Sequence, residues 1–266
     1  MRETSATAPR LDRAGPSAVA DRIMSTLEAC AVKQTMTLTE LSEEIGLAKS
    51  TVHRTCWRLV ELGLLEHNLD GFRIGLKLFK LGHSNPSLSD LRVASMPILL
   101  DLQQQTSGLA NLAVLVEDRA LVIDALYDGN LSRAHPLIPR MIGAALPLHC
   151  TAVGKALLAS VGEERRERLL GEGMLKPATG HSIVRPMVIR DHVDRVVERG
   201  FATSDEEFMD GVCGAACAVV IDATTTVAIG YTGPCSREAL RRVIGPVQQA
   251  SDALRHAFSD GLTAPV

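Results

Sequence analysis

TLTELSEEIGLAKSTVHRTCWRLVELGLLE, residues 37–66, decides the reading of the fold. Thr37 and Glu40 have capping-box spacing, and Leu38, Leu41 and Ile45 recur on one face of a short helix that Gly46 ends. A second helix then runs from Lys49 to Gly63. On a 100° wheel Val52, Cys56, Leu59, Val60 and Leu62 fall inward, while Ser50, Thr51, Arg54, Trp57 and Arg58 fall outward, with His53 at the border. No acid occurs between Ala48 and Val60. Working outward, AVADRIMSTLEACA (18–31) is an amphipathic helix after a Ser17 cap. Leu64–Leu65, the turn 67–71 and Phe72–Ile74 read as strand, turn and strand. Helix, helix, short turn, helix, hairpin is the order of a winged helix-turn-helix.

A donor-rich helix face of this kind suits a major groove, where Arg pairs with guanine and Ser, Thr or His reach base edges and phosphates. Lys49, Ser50, Thr51, His53, Arg54 and Arg58 are the expected contacts, with Arg73 on the hairpin meeting the adjacent backbone. Net charge is −3, and residues 17–82 carry eight basic against eight acidic side chains, so global charge does not decide the question. A small, nearly neutral module makes few base contacts. Two copies on a two-fold site are therefore expected, at least a homodimer.

IGLKLFKLG (74–82) reads as a connecting helix and HSNPS (83–87) as a breaker, with Ser87 capping a helix to about Gln105. Beyond it, LANLAVLV and ALVIDAL form one expected hairpin, and CGAACAVVID and VAIGYTG another. TAVGKALLAS, EERRERLL, 187–199 and the final SREALRRVIGPVQQASDALRHAF are helical. Strand pairs interleaved with helices give an α+β domain around a central antiparallel sheet. The expected divisions are a flexible arm (1–16), a DNA-binding domain (17–73), a linker (74–87) and an effector domain (88–260). The arm has no apolar core, so no signal peptide is expected, and no run reaches a membrane span. Six scattered cysteines without a secretion signal suggest free thiols and a cytoplasmic location.

TLTELSEEIGLAKSTVHRTCWRLVELGLLE with FRIGLKLFKLG, and then LPLHCTAVGKALLA, ERGFATSDEEF, GVCGAA and a last strand ending in TGP, resemble the IclR family of bacterial transcriptional regulators. The resemblance covers roughly 17–260. It implies a winged helix-turn-helix joined by a linker helix to a GAF-like effector-binding domain with a six-stranded antiparallel sheet, a homodimer or dimer of dimers, and small-molecule control of binding to operator DNA. Carried onto this chain, the effector pocket comprises Leu146, Ala152, Val153, Ser204, Asp205, Val212, Cys213, Gly214, Gly230 and Thr232. Ile138, Met141, Leu146 and Val212 offer apolar walls, and the N–H groups around Ala152 suit an anion.

The chain also departs from the family. Trp57 stands where a small residue is common, and could pack on DNA, on a second subunit or over the helix end. Members that hold very small oxo-acids place Ser at both final-strand positions and an acid at the position of Ser204. Here stand Gly230, Thr232 and Ser204, with Gly214 where Cys is frequent. Gly for Ser is expected to open volume, which points to a larger effector such as an aromatic acid.

The competing class is an enzyme acting on a small carboxylate, with the N-terminal domain as a tether. No nucleophile–base–orienter set supports it. His149 and Cys150, adjacent on an expected strand, would point apart. Cys213 and Cys217 lack metal-knuckle spacing, and Gly154-Lys155 lacks the rest of a phosphate loop. Asp205-Glu206-Glu207 reads as a solvated turn or a set of helix-capping and hydrogen-bonding acids. No metal or cofactor is expected.

Overall fold

A computed structural model describes residues 19–128 and 140–259. The expected arm, the Ser17 cap and Ile138 lie outside the described residues. The chain divides into two compact units between Ser89 and Asp90.

The first unit contains α1 (Val19–Lys33), α2 (Leu38–Ile45), α3 (Lys49–Glu61), β1 (Leu65–Asn68), β2 (Gly71–Ile74) and α4 (Leu76–Gly82). Thr37 accepts from the Glu40 N–H while the Glu40 carboxylate accepts from Thr37 N, completing the box expected from the sequence. Gly46 adopts the left-handed conformation that stops α2. Leu27, Cys30, Met36, Leu41, Val52, Cys56, Leu59, Leu65 and Phe72 form one core. β1 and β2 pair as the wing, and Met36 extends it through a bridge to Phe72. Gly71 is needed there: a Cβ would lie 2.3 Å from the Met36 carbonyl oxygen.

Leu62 corrects the wheel. It caps α3 and is 38% exposed rather than inward. The reason is that Glu61 ends the helix, so the periodic inner face stops at Leu59.

In the second unit, α5 (Pro86–Thr106) begins earlier than expected. Asn85, not Ser87, sits before its first turn, accepting from Leu88 N through its side chain. Among the described residues six strands follow: β3 (Leu109–Val116), β4 (Arg119–Leu126), β5 (Ala145–Pro147), β6 (Ala202–Asp205), β7 (Val212–Val220) and β8 (Thr226–Pro234). They form one antiparallel sheet in the order β5-β4-β3-β8-β7-β6. The helices are α6 (Ala152–Ser160), α7 (Glu163–Leu170), α8 (Pro186–Arg199) and α9 (Arg237–Ser259). Helix α6 packs on β7 and β8, and α9 packs on the same two strands. The short strands β5 and β6 carry too little alternation to read from sequence. Among the described residues no helix is long and apolar enough to cross a membrane.

Candidate functional site

The outward face of α3 starts at a helix end without a side-chain cap. Ala48 precedes Lys49 and offers no hydroxyl or carboxylate. The first N–H groups therefore remain open to an anion such as a phosphate. Lys49, Ser50, His53, Arg54 and Arg58 are exposed, and Thr51 is half-buried. The basic groups are not equivalent. Arg58 pairs with Glu61 at 2.7 Å, and Arg73 makes two hydrogen bonds to Glu66, at 2.7 and 3.0 Å. Among the described residues Arg54 has no such pair, so its five donors stay available.

Trp57 is 40% exposed, yet its ring packs 5.1 Å from that of His67 and edge-on to Phe72 at 6.0 Å. It braces the wing against α3. Covering the helix flank is the role the contacts describe.

On the sheet of the second unit, one cavity is lined by Asn111, Met141, Leu146, Thr151, Ala152, Val153, Ser204, Phe208, Met209, Val212, Cys213 and Thr232. Its open space is about 550 Å³, mouth included. The wall toward α6 is built by Thr151, which accepts from Gly154 N and donates to the Pro147 carbonyl at 2.7 Å. That cap satisfies one of the first N–H groups, while those of Ala152 and Val153 have no helical partner. Met141, Leu146, Phe208 and Met209 supply apolar lining. Thr232 accepts from Asn111 Nδ2 at 3.3 Å, and Asn111 Oδ1 is buried without a partner. An orphan acceptor beside open N–H groups and apolar walls fits a ligand with an anionic end, an apolar body and a donor.

Eight of the residues expected from sequence converge here: Met141, Leu146, Ala152, Val153, Ser204, Val212, Cys213 and Thr232. Asp205 does not. It pairs with Cys213 on the sheet face opposite Ser204, and its carboxylate accepts from Cys235 Sγ at 2.8 Å. Cys213 borders the cavity with its backbone side only, since its thiol shares the Asp205 face. Gly214 and Gly230 do not line the cavity; a Cβ on them would meet α6 instead, at Ala152 Cβ and Val153 Cγ1 respectively. A Cβ at Gly230 would meet the Ala215 oxygen at 2.9 Å and Val153 Cγ1 at 3.1 Å. The space expected from the missing serine is already filled by α6.

His149 and Cys150 lie in a bend rather than on a strand. Both are buried, and His149 Nε2 contacts the Lys176 carbonyl at 3.2 Å. Burial holds the His149 imidazole below its usual pKa and pushes the Cys150 thiol up to about 12, so neither is an activated group. Nor is Glu207 a solvated acid. Its carboxylate takes a 2.6 Å hydrogen bond from Lys155 Nζ with both side chains buried, joining α6 to the segment that carries Phe208 and Met209. Burial, opposed by Glu207, lowers the Lys155 pKa.

The cavity residues absent from the sequence reading are Asn111, Thr151, Phe208 and Met209. Asn111 had a signal: one amide within the apolar run LANLAVLV. Thr151 had another, a hydroxyl three residues before Gly154 at a helix start. Phe208 and Met209 follow a turn and carry no periodicity.

Residues 18–69 match the model of the IclR helix-turn-helix domain, and residues 86–256 match that of the bacterial transcriptional regulator IclR C-terminal domain. Among similar proteins, the transcriptional repressor IclR of Escherichia coli is 32% identical over 205 residues, covering 75% of this chain and 73% of its own. The HTH-type transcriptional regulator BhcR of Paracoccus denitrificans is 29% identical over 91% of this chain and 82% of its own. In fold, the chain is similar to an IclR homolog from Microbacterium hydrocarbonoxydans crystallised with 4-hydroxybenzoate, with a TM-score of 0.76 and 22% identity. That likeness covers 90% of this chain and 98% of the other. With the uncapped α3 face on one unit and the sheet cavity on the other, the chain belongs to the IclR family of bacterial transcriptional regulators.

Proposed function

We propose that this ligand-responsive regulator binds operator DNA as a dimer through Lys49, Ser50, Thr51, His53 and Arg54, with Arg58 and Arg73 contributing less, and is controlled by an aromatic carboxylate held in the sheet cavity. Residues 17–73 serve as the DNA-binding domain, 88–260 as the effector domain and 74–87 as the element that transmits between them, in a cytoplasmic protein. The observation that carries the effector class is one cavity with open N–H groups at Ala152 and Val153, apolar walls and an unpaired Asn111 oxygen. The 4-hydroxybenzoate of the Microbacterium homolog supports the same class.

An effector acts only through its different affinity for two arrangements of the paired heads. A coupling of about 1–3 kcal/mol shifts DNA affinity roughly 5–150-fold. The test is a gel-shift titration on the region upstream of the chain's own gene, with benzoate, 4-hydroxybenzoate and glyoxylate added in turn. The expected result is a specific, salt-sensitive complex whose affinity changes with an aromatic acid and not with glyoxylate. Absence of any specific complex overturns the DNA reading, and a response to glyoxylate alone overturns the effector class.

A further inference from the structure

Asn111 is the one side-chain amide in the apolar strand β3, and it is only 2% exposed. It lies on the sheet face that α6 covers. Leu109 and Ala113, two residues to either side of it, pack in one core with Ala152, Val153 and Ala156. Its strand partner is Gly230, where a Cβ would meet Val153 Cγ1 at 3.1 Å. Thr232 Oγ1, on the same face of β8, accepts from Asn111 Nδ2 at 3.3 Å, which fixes how the amide is turned. Asn111 lines the cavity, and its Oδ1 is buried without a partner. A buried acceptor left unpaired is costly, so this oxygen calls for a molecule that brings a donor to it.

The other end of the cavity has the opposite chemistry. A Cβ at Gly214 would meet Ser204 Oγ at 3.1 Å and Ala152 Cβ at 3.2 Å, so the Ser204 hydroxyl and the start of α6 share one corner. There the N–H groups of Ala152 and Val153, unused by the helix, join that hydroxyl as donors for an anion. In the sheet register Gly214 aligns with Thr232, and Thr232 with Leu109. Gly214 is therefore two strands across and two residues along from Asn111, roughly 12 Å at Cα. Side chains reach in from both sides of that span and leave room for one aromatic ring substituted at opposite ends. We propose that Asn111 sets effector specificity: the ligand is an aromatic carboxylate with a hydroxyl or amino donor on the ring position opposite its acid. This inference rests on the effector reading above and narrows it. The carboxylate takes the corner donors and the ring-borne donor gives its proton to Asn111 Oδ1. A donor beside the carboxylate stays at the wrong end. A methyl group in place of the hydroxyl fills the space but leaves the oxygen unpaired, which a site built for a donor penalises strongly.

The test is calorimetric binding to the full chain at neutral pH, where the acids are ionised and the phenols are not. The probes are 4-hydroxybenzoate, 4-aminobenzoate, 4-methylbenzoate, 2-hydroxybenzoate and benzoate. Both acids with the donor opposite the carboxylate are expected to bind at least tenfold tighter than the other three. Asn111→Leu should erase that gap by weakening those two while sparing 4-methylbenzoate, a crossover that a merely structural loss would not produce. The wild-type series decides the question even where that variant fails to fold. Equal affinities across the wild-type series would overturn the role of Asn111 and leave the aromatic-acid reading standing. A folded Asn111→Leu chain that keeps the gap would overturn that role as well. Binding of none of the five acids would remove both readings.

Discussion

In the proposed DNA contact, recognition turns on Arg54, because its neighbours Arg58 and Arg73 are engaged by acids. Arg58 is held by Glu61 and Arg73 by Glu66. Breaking those exposed pairs is cheap, since surface ion pairs contribute about 0–1 kcal/mol, but each still offsets some of the gain from a phosphate contact. Arg54→Ala should weaken operator binding by about 1–3 kcal/mol at fixed salt, with an unchanged melting temperature. Arg58→Ala and Arg73→Ala should lose less in the same titration. If Arg54→Ala unfolds the protein instead, the side chain is structural and the outward reading of α3 is wrong.

Two buried groups belong to the same scale. Lys155 and Glu207 hold each other inside the second unit. Removing one partner leaves a buried charge, so Lys155→Met should cost about 3–5 kcal/mol in denaturant unfolding, and adding Glu207→Leu should recover most of it. His149 gives a pH dependence. Its folded pKa lies below the ordinary value because burial penalises the imidazolium. Between that depressed value and about 6.5 the unfolded chain binds more protons, so stability rises with pH in this window and falls as pH drops through it. His149→Asn should flatten the slope of melting temperature just below about pH 6.5. An unchanged slope would assign the acid sensitivity to other groups.

Elements show where sequence reading succeeds and where it fails. The α2–α3 region was legible because every local signal agreed: the Thr37–Glu40 box, Gly46 in the left-handed region and the Val52–Cys56–Leu59 stripe all depend on near neighbours in the chain. The cavity was legible only as a set of places. Which face a strand residue occupies depends on register, and a shift of one position sends it to the other side. Asp205 was misplaced for that reason, and so was the meaning of Gly230, whose empty side is filled by Val153 from an element nearly eighty residues away. Gly230→Ser therefore should not restore a polar pocket. A Cβ 2.9 Å from the Ala215 oxygen forces α6 or β7 to move, and overpacking of this kind costs about 1–3 kcal/mol. Thermal unfolding should register that loss. A variant as stable as wild type would show that α6 yields easily and that the cavity can be enlarged from this side.

At the scale of the molecule, the proposed dimer follows from how little one α3 can offer. Among the described residues, the outward face of one α3 offers Arg54 without an ion pair and a few short polar side chains, too few contacts for tight specific binding at physiological salt. Doubling the contacts on a two-fold site supplies the rest, provided the chain has a surface on which two copies meet. We propose helix α4 for that role. Leu76 is 77% exposed and Phe79 65%, with Leu81 exposed beside them, while Leu78 alone turns to the core of the first unit. Amphipathic helices in water do not normally leave three large apolar side chains uncovered, and contiguous patches of this sort mark interaction surfaces. Pairing through α4 would also set the distance between the two recognition helices, which is the variable an effector has to change. Phe79→Asp should therefore lower operator affinity far more than a surface change remote from DNA, at least tenfold in a gel shift, while the second unit's thermal transition stays in place. Sedimentation should show the wild-type chain as a dimer at the concentrations where it binds DNA. A wild-type monomer with undiminished specific binding would remove the reason for the exposed face of α4 and leave recognition to one head alone.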